Sequence, residues 1–578
     1  MPGASFELPA ADVSPDSVDA TIAGLIEGWR RWARALLDGL GWRDEQLFVR
    51  RFAGSNQSGG PLRGATLALS APVDGLWTAT EVDEWAVAAA CAEARDEAPD
   101  LDAALQRLRA GYAREAGRRR HLRELASEAA ARGVALLCDD RSTSIGTGRG
   151  ARLFPTAELP APQDVDWAGV HDVPVVFVTG TNGKSTTVRL LHAIGLAAGR
   201  VAGLTSTDWI RVGADIVAEG DFAGPDGART LLRDPRVELA VCETARGGIL
   251  RRGLVVRRAE AAIITNVAAD HLGQWGVLDL QGMLETKGVL ARLVAHGGRD
   301  GRAPLILNAD DAGLRQLGAR HDGPVAWFSL SAPDDALAHH IAGGGRAALL
   351  EGGELVLHRG AERVPVLRAD ELPVALGGAA RHNLANALAA LLAADALGLP
   401  LEALRAGLRG FSGDHAANPG RGNRYELRGV TALADFAHNV HGMTALVDTL
   451  AALPARRRLL VLGQAGDRSD DAIRELVATA WRCRPDRVIV KEQAKDLRGR
   501  EPGEVPAVMA AELQRLGAAP GTVSVAPSEL AAVRAALEWA REGDLLALFL
   551  HSQREEGLAL LEQLASSGWH PGEPLPAA

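Results

Sequence analysis

The chain has 578 residues, of which 47% are hydrophobic and 24% charged, so it has the composition of a globular protein and exceeds the length of a single hydrophobic core. We therefore expect three or four domains. Its 65 glycines and 28 prolines follow no period, which excludes collagen-like and wholly disordered chains. A formal charge of -10 argues against nucleic acid as the main partner.

The sequence predicts neither a membrane partner nor secretion. No stretch approaches the roughly 18 consecutive apolar residues of a membrane span, and the first residues lack the regions of a secretory signal. The four cysteines (Cys91, Cys138, Cys242 and Cys483) are far apart and form neither a CxxC pair nor a zinc-binding spacing. We therefore expect reduced cysteines and a cytoplasmic protein.

The N-terminal part, residues 1–165, predicts a separate α+β domain followed by a linker. Residues 21–42 place one apolar face on a helix, made of Ile22, Leu25, Ile26, Trp29, Trp32, Leu36 and Leu37. Further expected elements are strands at 47–52, 66–70 and 134–138, and a helix that a capping box of Thr78 and Glu81 would open. The Gly-, Ser- and Thr-rich segment 139–155 and the Pro-bearing segment 155–167 predict the linker.

From residue 173 onward, strands and helices alternate, which predicts α/β layers with mostly parallel sheets. The first series has expected strands near residues 173–179, 239–243, 261–266, 305–308 and 325–328. A second series follows the turn-rich segment 411–423, with expected strands at 430–435, 458–463, 487–491 and 545–550.

The segment VPVVFVTGTNGKSTTVRLL has the order of a phosphate-binding loop, in which a strand, a glycine-containing turn and a helix follow one another. Lys184 would reach the β- and γ-phosphates and the Ser185 hydroxyl would hold Mg²⁺. The eight-residue pattern GxxxxGK[ST] is incomplete, because Val178 stands at its first glycine. The ordered combination nevertheless predicts a nucleotide site rather than an ordinary glycine turn.

Polar residues directly follow two further apolar strands of the first series. Glu243 ends one strand, and Thr265, Asn266, Asp270 and His271 follow the other. Ligands of open α/β sheets bind at the carboxyl ends of the strands, which is where these residues lie. These groups would hold a second metal ion or orient a substrate, whereas capping or ion pairing is the structural alternative.

Lysine is rare in this chain, since only Lys184, Lys287, Lys491 and Lys495 stand among 63 basic residues. A retained lysine therefore indicates a place where a guanidinium cannot serve. Lys287 lies on an expected helix. A buried lysine can lose its proton, and the neutral amine can form a carbamate with CO₂, which arginine cannot do.

The motifs GTNGKSTT, CETARGG, TNVAADHLG, LNADD, RHNLANALAA, NPGRGN and DFAHN occur in the order found in the Mur ligase family, which the chain resembles over residues 172–555. ETARGGILRRGL, GQAGDRSDDAIREL and KEQAKDLRGRE resemble more narrowly the Mur-ligase-like part of the cyanophycin synthetase family. The resemblance implies a central P-loop ATPase domain at 166–416 and a Rossmann-like C-terminal domain at 417–578, which follow the N-terminal domain at 1–165.

The resemblance also assigns roles to matching positions. It implies that ATP is bound by Gly180, Thr181, Asn182, Gly183, Lys184, Ser185, Thr186, Asn308, His382, Asn383, Asn386, Arg421 and Asp435. It implies that Mg²⁺ is held by Ser185, Glu243 and His271, and that Lys287 carries a carbamate. Catalysis would rest on Lys184, Lys287, His271 and Glu243. The weaker candidates for recognition of the incoming amino acid are Lys495, Asp496, Arg498, Arg500, Asp467 and Arg468.

The chain departs from the family pattern at Gly422, Phe436 and Val440, where methionine, tyrosine and often proline stand. A full cyanophycin synthetase also has an ATP-grasp domain before its Mur-like part. Here RGVALLCDDRSTSIGTGRG resembles the passage into that domain, but about 20 residues then remain before the phosphate loop, too few for such a fold.

The resemblance implies a ligase that activates a carboxylate with ATP as an acyl phosphate and joins it to the amine of an amino acid. The expected acceptor is a β-aspartyl or similar peptide or polymer, and the expected amine donor is arginine or a similar amino acid. Another acidic peptide or a small acid remains open, as does a homo-oligomer. The alternative of another class is a non-catalytic ATP- or polymer-binding partner of a cyanophycin-type synthetase.

Overall fold

A computed structural model describes residues 5–7, 15–55, 61–295 and 301–576. Its N-terminal part has a three-stranded antiparallel sheet with the order β1-β3-β2, against which α1 and α2 pack. The apolar face predicted on α1 is confirmed, because Ile22, Ile26, Trp29 and Leu37 are buried. The elements are β1 (Ser5–Glu7), α1 (Pro15–Gly39), β2 (Leu47–Ser55), β3 (Pro61–Leu69), α2 (Leu76–Glu93), α3 (Leu101–Arg118) and α4 (Leu122–Ala131).

The capping box predicted at Thr78 is wrong. Helix α2 begins two residues earlier, at Leu76, with Gly75 at the N-cap. The backbone N–H and the hydroxyl of Thr78 both donate to Glu115 of α3, at 2.9 Å each. A carboxylate from a neighbouring helix therefore accepts the free N–H groups of the first turn of α2. No local spacing in the sequence reveals this contact.

The linker prediction for residues 139–155 is also wrong. The segment folds with the preceding residues into a small antiparallel sheet of β4 (Leu136–Cys138), β5 (Ser142–Ile145) and β6 (Arg152–Pro155). Arg233 of the following layer donates to the carbonyl oxygens of Leu137 and Ser142, at 2.9 and 2.6 Å. The glycine, serine and threonine residues here belong to a small sheet. Its strands are too short for an alternation of apolar and polar residues to be recognised in the sequence.

The central sheet has eleven strands in the order β10-β9-β8-β11-β7-β12-β13-β14-β15-β16-β17, and the seven from β8 to β15 run parallel. Its strands are β7 (Val175–Thr179), β8 (Ala202–Thr205), β9 (Trp209–Val212), β10 (Asp215–Glu219), β11 (Leu239–Glu243), β12 (Ala261–Ile264), β13 (Leu305–Asn308), β14 (Val325–Ser329), β15 (Arg346–Glu351), β16 (Glu354–Arg359) and β17 (Glu362–Arg368).

Helices cover both faces of this sheet, which is why its middle strands are apolar throughout. One core layer joins the sheet to α5, α11 and α12, and another joins it to α6, α8 and α9. The helices are α5 (Lys184–Ala197), α6 (Pro225–Leu232), α7 (Arg246–Arg252), α8 (Leu280–Gly288), α9 (Ala312–Ala319), α10 (Asp335–Ala342), α11 (Arg381–Ala396) and α12 (Leu401–Gly410).

The C-terminal sheet has six strands in the order β18-β19-β23-β20-β21-β22, all parallel except β18. Helices again lie on both faces. The elements are β18 (Arg421–Leu427), β19 (Val430–Asp435), α13 (Val440–Ala452), β20 (Arg458–Leu462), α14 (Asp470–Trp481), β21 (Arg487–Lys491), α15 (Glu504–Arg515), β22 (Val523–Ala526), α16 (Glu529–Trp539), β23 (Leu545–Phe549) and α17 (Arg554–Ser567).

The predicted fold class is confirmed: two parallel-rich α/β sheets follow an α+β N-terminal part. The strands that the sequence analysis did not predict are mostly short or at sheet edges, such as β8, β10 and β16. Among the described residues, no helix has the length and apolar character needed to cross a membrane.

The buried Asp83 of α2 should make the stability of the N-terminal part depend on pH. Its Oδ1 accepts a hydrogen bond of 2.7 Å from the Trp29 indole, and burial raises the pKa of Asp83 to about 7. The unfolded carboxyl has a pKa near 3.8. The Asp83 carboxyl therefore keeps its proton to a higher pH in the folded state than in the unfolded state. The free energy of unfolding is thus greatest below about pH 4 and falls as the pH rises to about 7. The loss should be on the order of 4 kcal/mol.

Chemical unfolding of the full chain at pH 4 and pH 8, followed by tryptophan fluorescence, measures most of this loss. Asp83→Asn resembles the protonated acid and should remove most of the pH dependence. The exposed Asp44→Asn is the matched control and should keep the wild-type profile. An unchanged pH profile in Asp83→Asn would show that other groups cause the dependence.

Candidate active site

The loop between β7 and α5 has the geometry of a phosphate-binding loop. It turns at Gly180 and Gly183, whose φ angles of +153° and +86° favour glycine. A Cβ at Gly183 would lie 2.2 Å from the Asn386 side-chain oxygen, and one at Gly180 would lie 1.9 Å from the Thr265 hydroxyl. Glycine at both positions lets the loop pack closely against Thr265 and Asn386, and the backbone amides at the start of α5 are the groups that would bind a phosphate.

The end of β12 fixes the shape of this loop. The Thr265 hydroxyl donates to the Asn182 carbonyl at 2.6 Å, and the Asn266 side-chain oxygen accepts the Asn182 N–H at 2.9 Å. The Thr181 N–H donates to the Asn266 carbonyl at 2.9 Å. The loop is thus held in its binding shape by neighbouring side chains and backbone.

Two lysine amines meet at one carbonyl oxygen of the loop. Lys184 Nζ lies 3.1 Å and Lys287 Nζ 2.9 Å from the Gly180 oxygen, and Lys184 also donates to Thr181 at 3.0 Å. Burial lowers the pKa of Lys287 well below its usual value, and the charge of Lys184 lowers it further. Burial also lowers the pKa of Lys184, with Glu243 opposing. A neutral Lys287 amine is the form that a carbamate requires.

Glu243 ends β11 beside the loop and has a free acceptor. The side chain is 1% exposed, its Oε2 accepts the Thr207 N–H at 3.3 Å, and its Oε1 has no hydrogen-bond partner among the described residues. The Ser185 hydroxyl lies 3.3 Å from that of Thr207. Burial raises the pKa of Glu243, and Lys184 opposes this. A buried carboxylate oxygen without a donor, beside a serine hydroxyl, fits a hard divalent cation such as Mg²⁺.

His271 belongs to a different cluster, in which ligand atoms of Asp270, His271 and His438 lie within 4.8 Å of one another. Its Nδ1 has no partner in the described part of the chain, and its Nε2 lies 3.2 Å from Arg468. Burial lowers the pKa of His271 to about 4, so the ring is neutral at pH 7. The metal-binding residues predicted from the sequence therefore fall into two places, Ser185 with Glu243 and His271 with Asp270.

Asp270 joins the two sheets. Its carboxylate accepts Arg468 at 2.9 Å and the Asn439 amide at 3.3 Å, and His438 Nε2 lies 3.5 Å away. Burial alone would raise the pKa of Asp270, but the hydrogen bond and charge of His438, followed by His271 and Arg468, lower it below the usual range. Asp270 is therefore an ionised contact for three C-terminal groups. The sequence analysis did not single out His438, although it lies in DFAHN.

The same C-terminal loop contacts the phosphate loop directly. The Asn182 amide donates to the Asn439 side-chain oxygen at 3.1 Å and lies 3.0 Å from His441 Nδ1. The Arg421 guanidinium stacks 4.6 Å from the centre of the Phe436 ring. Burial raises the pKa of Asp435, and Arg421 opposes this. Phe436 thus provides an aromatic surface for the arginine.

The predicted nucleotide residues outside these loops differ in their surroundings. Asn386 lies against Gly183 and donates to the Asn383 side-chain oxygen at 3.1 Å, while Asn383 donates to the Val374 carbonyl at 2.9 Å. Burial lowers the pKa of His382 to about 4. Asn308 accepts the Asp310 N–H at 2.9 Å and so supports its own turn. Of these residues, Asn386 lies against the phosphate loop, whereas the contact described for Asn308 is with its own turn.

A cavity of about 480 Å³ lies where the two sheets meet. It is lined by Ala268, Ala269, Asp270, His271, Leu272, His438, Asn439, Val440, His441, Gln464, Asp467, Arg468, Ser469, Ala472, Glu475 and Leu476. Of the six residues predicted to recognise the amino acid, Asp467 and Arg468 belong to this lining, and Asp467 Oδ1 is buried with no hydrogen-bond partner in the residues described.

The other four predicted residues are placed differently. Lys495 is exposed, Arg498 pairs with Asp467 at 2.9 Å and Asp496 at 3.1 Å, and Arg500 donates to the carbonyl oxygens of Gly466 and Arg468. Arg498 and Arg500 therefore support the loop that carries the two lining residues. They act on the cavity through that loop rather than from its wall.

Lys491 is buried beneath the C-terminal side of the site. Its Nζ donates to Glu529 and to the Phe549 carbonyl, and lies 3.2 Å from His551 Nδ1. Burial lowers the pKa of Lys491 to about 8, with Glu529 opposing. A compact amine with three donors fits this corner, whereas a planar guanidinium does not.

Comparison with protein families places this site in a known architecture. The family model described as the Mur ligase middle domain matches residues 178–394, and the model described as the Mur ligase glutamate ligase domain matches residues 420–549. The cyanophycin synthetase of Synechocystis sp. is 39% identical over 381 residues, which are 66% of this chain and 42% of that protein. That of Crocosphaera subtropica is 41% identical, over 57% of this chain and 37% of that protein.

This chain thus spans about two fifths of the length of the cyanophycin synthetases that it matches. Among solved structures, E. coli FolC in complex with DHPP and ADP is 20% identical with a TM-score of 0.48, and the match covers 68% of this chain and 89% of that one.

We expect Gly183→Ala to disrupt the loop at the point where α5 begins. The added methyl group would meet the Asn386 oxygen at 2.2 Å in a left-handed backbone. Affinity for Mg-ATP, measured by calorimetry, should fall by about tenfold or more. Gly199→Ala, past the other end of α5, is the matched control, because its φ is +72° but no atom lies within 4 Å. Equal effects of both changes would mean that backbone strain alone matters.

Proposed function

Because residues 178–394 and 420–549 of this chain belong to the Mur ligase family, we propose that it is an ATP-dependent ligase. It would activate a substrate carboxylate as an acyl phosphate, release ADP, and join the carbonyl to the amine of an amino acid in the cytoplasm. The observation that carries the proposal is the cavity of about 480 Å³, which opens beside the phosphate loop between the two sheets. A simple nucleotide switch has no need of it.

The first step would use the residues around the phosphate loop. The carboxylate attacks the γ-phosphorus, the bond to the β-phosphate oxygen breaks, and negative charge moves onto ADP. Lys184 and Arg421 would neutralise that charge, and backbone amides at the start of α5 would orient the phosphates. Ser185 and Glu243 would hold Mg²⁺, which supplies positive charge to the phosphate oxygens.

The second step would take place in the cavity. The amine attacks the acyl carbon, phosphate leaves, and the amine loses a proton. His271 is neutral at pH 7 and has a free Nδ1, so it can accept a proton or, as the resemblance implies, bind a cation. Contacts of Asn439 and Arg468 with the central sheet would exclude water while the acyl phosphate exists.

The lining supports a basic amino acid as the amine donor. Asp467 Oδ1 is buried without a donor in the described residues, and Glu475 lines the same cavity. Arg498 already pairs with the other oxygen of Asp467, so a guanidinium or ammonium side chain would be a second donor to Asp467 and a partner for Glu475. We therefore propose arginine or a similar amino acid as donor and a β-aspartyl peptide or polymer as acceptor, which agrees with the likeness to cyanophycin synthetases.

The proposal predicts phosphate release from Mg-ATP that requires both one amino acid and one acceptor. Each of the twenty amino acids is tested with and without aspartate-rich peptides, and mass spectrometry follows the acceptor. The product should be heavier by one residue. Lys184→Ala should lower turnover by about a hundredfold or more, since it removes a charge from the phosphates.

Arg482→Ala is a control, because its weak pair with Asp448 at 3.7 Å lies within the C-terminal sheet unit. Tight ATP binding without any stimulated release would contradict the ligase and favour a non-catalytic ATP- or polymer-binding partner. Turnover that survives in Lys184→Ala would show that the nucleotide binds elsewhere.

We also propose that Lys287 is carbamylated in the active protein. Its buried amine can add to CO₂ with loss of one proton, and the new carboxylate would neutralise the positive charge of Lys184. With ¹³C-bicarbonate, the wild type should show a carbamate resonance that Lys287→Arg lacks. Activity of Lys287→Arg should fall by about a hundredfold.

Short carboxylic acids such as formate should partly restore Lys287→Ala, because they place a carboxylate in the vacated space. Full activity in Lys287→Arg, or a wild type with no carbamate signal, would refute the carbamate and leave Lys287 as a structural amine.

A further inference from the structure

Asp208 lies in the turn after β8 and touches both sheet units. Its side chain is 5% exposed. One oxygen, Oδ1, accepts the Arg554 guanidinium of the C-terminal unit at 2.7 Å, and the other, Oδ2, accepts the guanidinium of Arg189. Arg554 begins α17, whereas Arg189 belongs to α5. One carboxylate therefore links the C-terminal unit to the helix of the phosphate loop.

Arg189 is buried and also contacts Trp209 of the central unit and Asn418 of the C-terminal unit. It is 2% exposed, its Nη1 donates to the Asn418 side-chain oxygen at 2.8 Å, and its guanidinium lies 4.7 Å from the Trp209 ring centre. Asn418 is fully buried and donates to the Arg421 carbonyl at 3.2 Å. The same guanidinium is thus connected to Arg421, the proposed phosphate contact of the C-terminal unit.

Thr207, the neighbour of Asp208 in the chain, contacts the two residues proposed to hold Mg²⁺. Thr207 donates its backbone N–H to Glu243 and lies 3.3 Å from the Ser185 hydroxyl. Because Thr207 and Asp208 are adjacent in one short turn, a shift of Asp208 moves a contact of Glu243. Asp208 therefore connects Arg554 to the residues around the phosphates.

Asp208 faces two guanidiniums with a single negative charge. Arg189 is fixed on α5, so it remains paired wherever the C-terminal unit lies. Arg554 is 19% exposed and reaches Asp208 only when that unit is seated against the central sheet. A charge pair of this kind, formed between partly buried groups, favours one arrangement of the two units over others.

We propose that Asp208 and Arg554 form a latch that keeps the C-terminal unit seated while the acyl phosphate exists. This inference rests on the proposed ligase function. In the seated state the amine attacks the acyl carbon. In a state that is not seated, water attacks it: a new C–O bond forms, the C–O bond to phosphate breaks, and the acceptor carboxylate is regenerated with inorganic phosphate. One proton of the water stays on phosphate and the other passes to solvent.

Arg554→Gln tests the latch without disturbing the Arg189–Asp208 pair. Product and ADP are measured in the same reaction with the full chain, Mg-ATP and the identified substrates. The yield of product per ADP should fall by about fivefold or more, while ADP formation continues. Arg482→Gln is the matched control and should keep the wild-type yield, since Arg482 contacts Asp448 within its own unit. Loss of folding alone would lower both quantities together.

A second readout does not depend on ligation. Small-angle X-ray scattering with a non-hydrolysable ATP analogue and Mg²⁺ should give a larger radius of gyration for Arg554→Gln than for the wild type and Arg482→Gln. The double variant Asp208→Asn with Arg554→Gln should lower the yield no further than the stronger of the two single changes. Both substitutions remove the same interaction, the pair between Asp208 and Arg554.

A wild-type yield in Arg554→Gln overturns the latch, whatever the scattering shows. If the wild type forms no product with any substrate, the proposed function fails, and scattering alone decides about the latch: equal radii overturn it. The two failures are therefore distinguishable.

Discussion

The site is governed by buried positive charge around one short loop. The amines of Lys184 and Lys287 share the Gly180 oxygen, and Arg189 and Arg421 contribute to the same field. Like charges repel strongly where water is excluded, so such a group must lose protons or gain an anion. Burial lowers the pKa of both lysines, and Lys184 lowers that of Lys287 further, so a polyphosphate would be a favourable occupant of the site.

The same electrostatic pattern organises the contact between the two sheets. Acidic groups of the central unit, Asp208 and Asp270, accept arginines of the C-terminal unit, Arg554 and Arg468. Each pair is partly or fully shielded from solvent, so salt screens it less than a surface pair. Seating of the C-terminal unit is therefore tied to pairing of charges that would otherwise be costly to bury.

The sequence predicted most of the apolar middle strands and the phosphate loop, because a run such as VPVVFVTGTNGKS combines a buried strand, glycines and a helix start in one segment. It failed where the partner is distant in the chain. Thr78 is satisfied by Glu115, and residues 139–155 form strands that Arg233 ties to the central unit. His438 was missed as a site residue because its contact with Asp270 depends on how two sheets meet.

The placement of the lysines has a practical consequence for chemical modification. Lys287 and Lys491 are buried and Lys184 is partly buried, which leaves Lys495 as the one exposed lysine side chain. A reagent that reacts with primary amines should therefore attach mainly to one side chain, in the loop after β21. A dye placed there would lie on the segment that supports the cavity wall, and the N-terminal amine would be the other reactive group, so a composition biased toward arginine limits lysine labelling to one site.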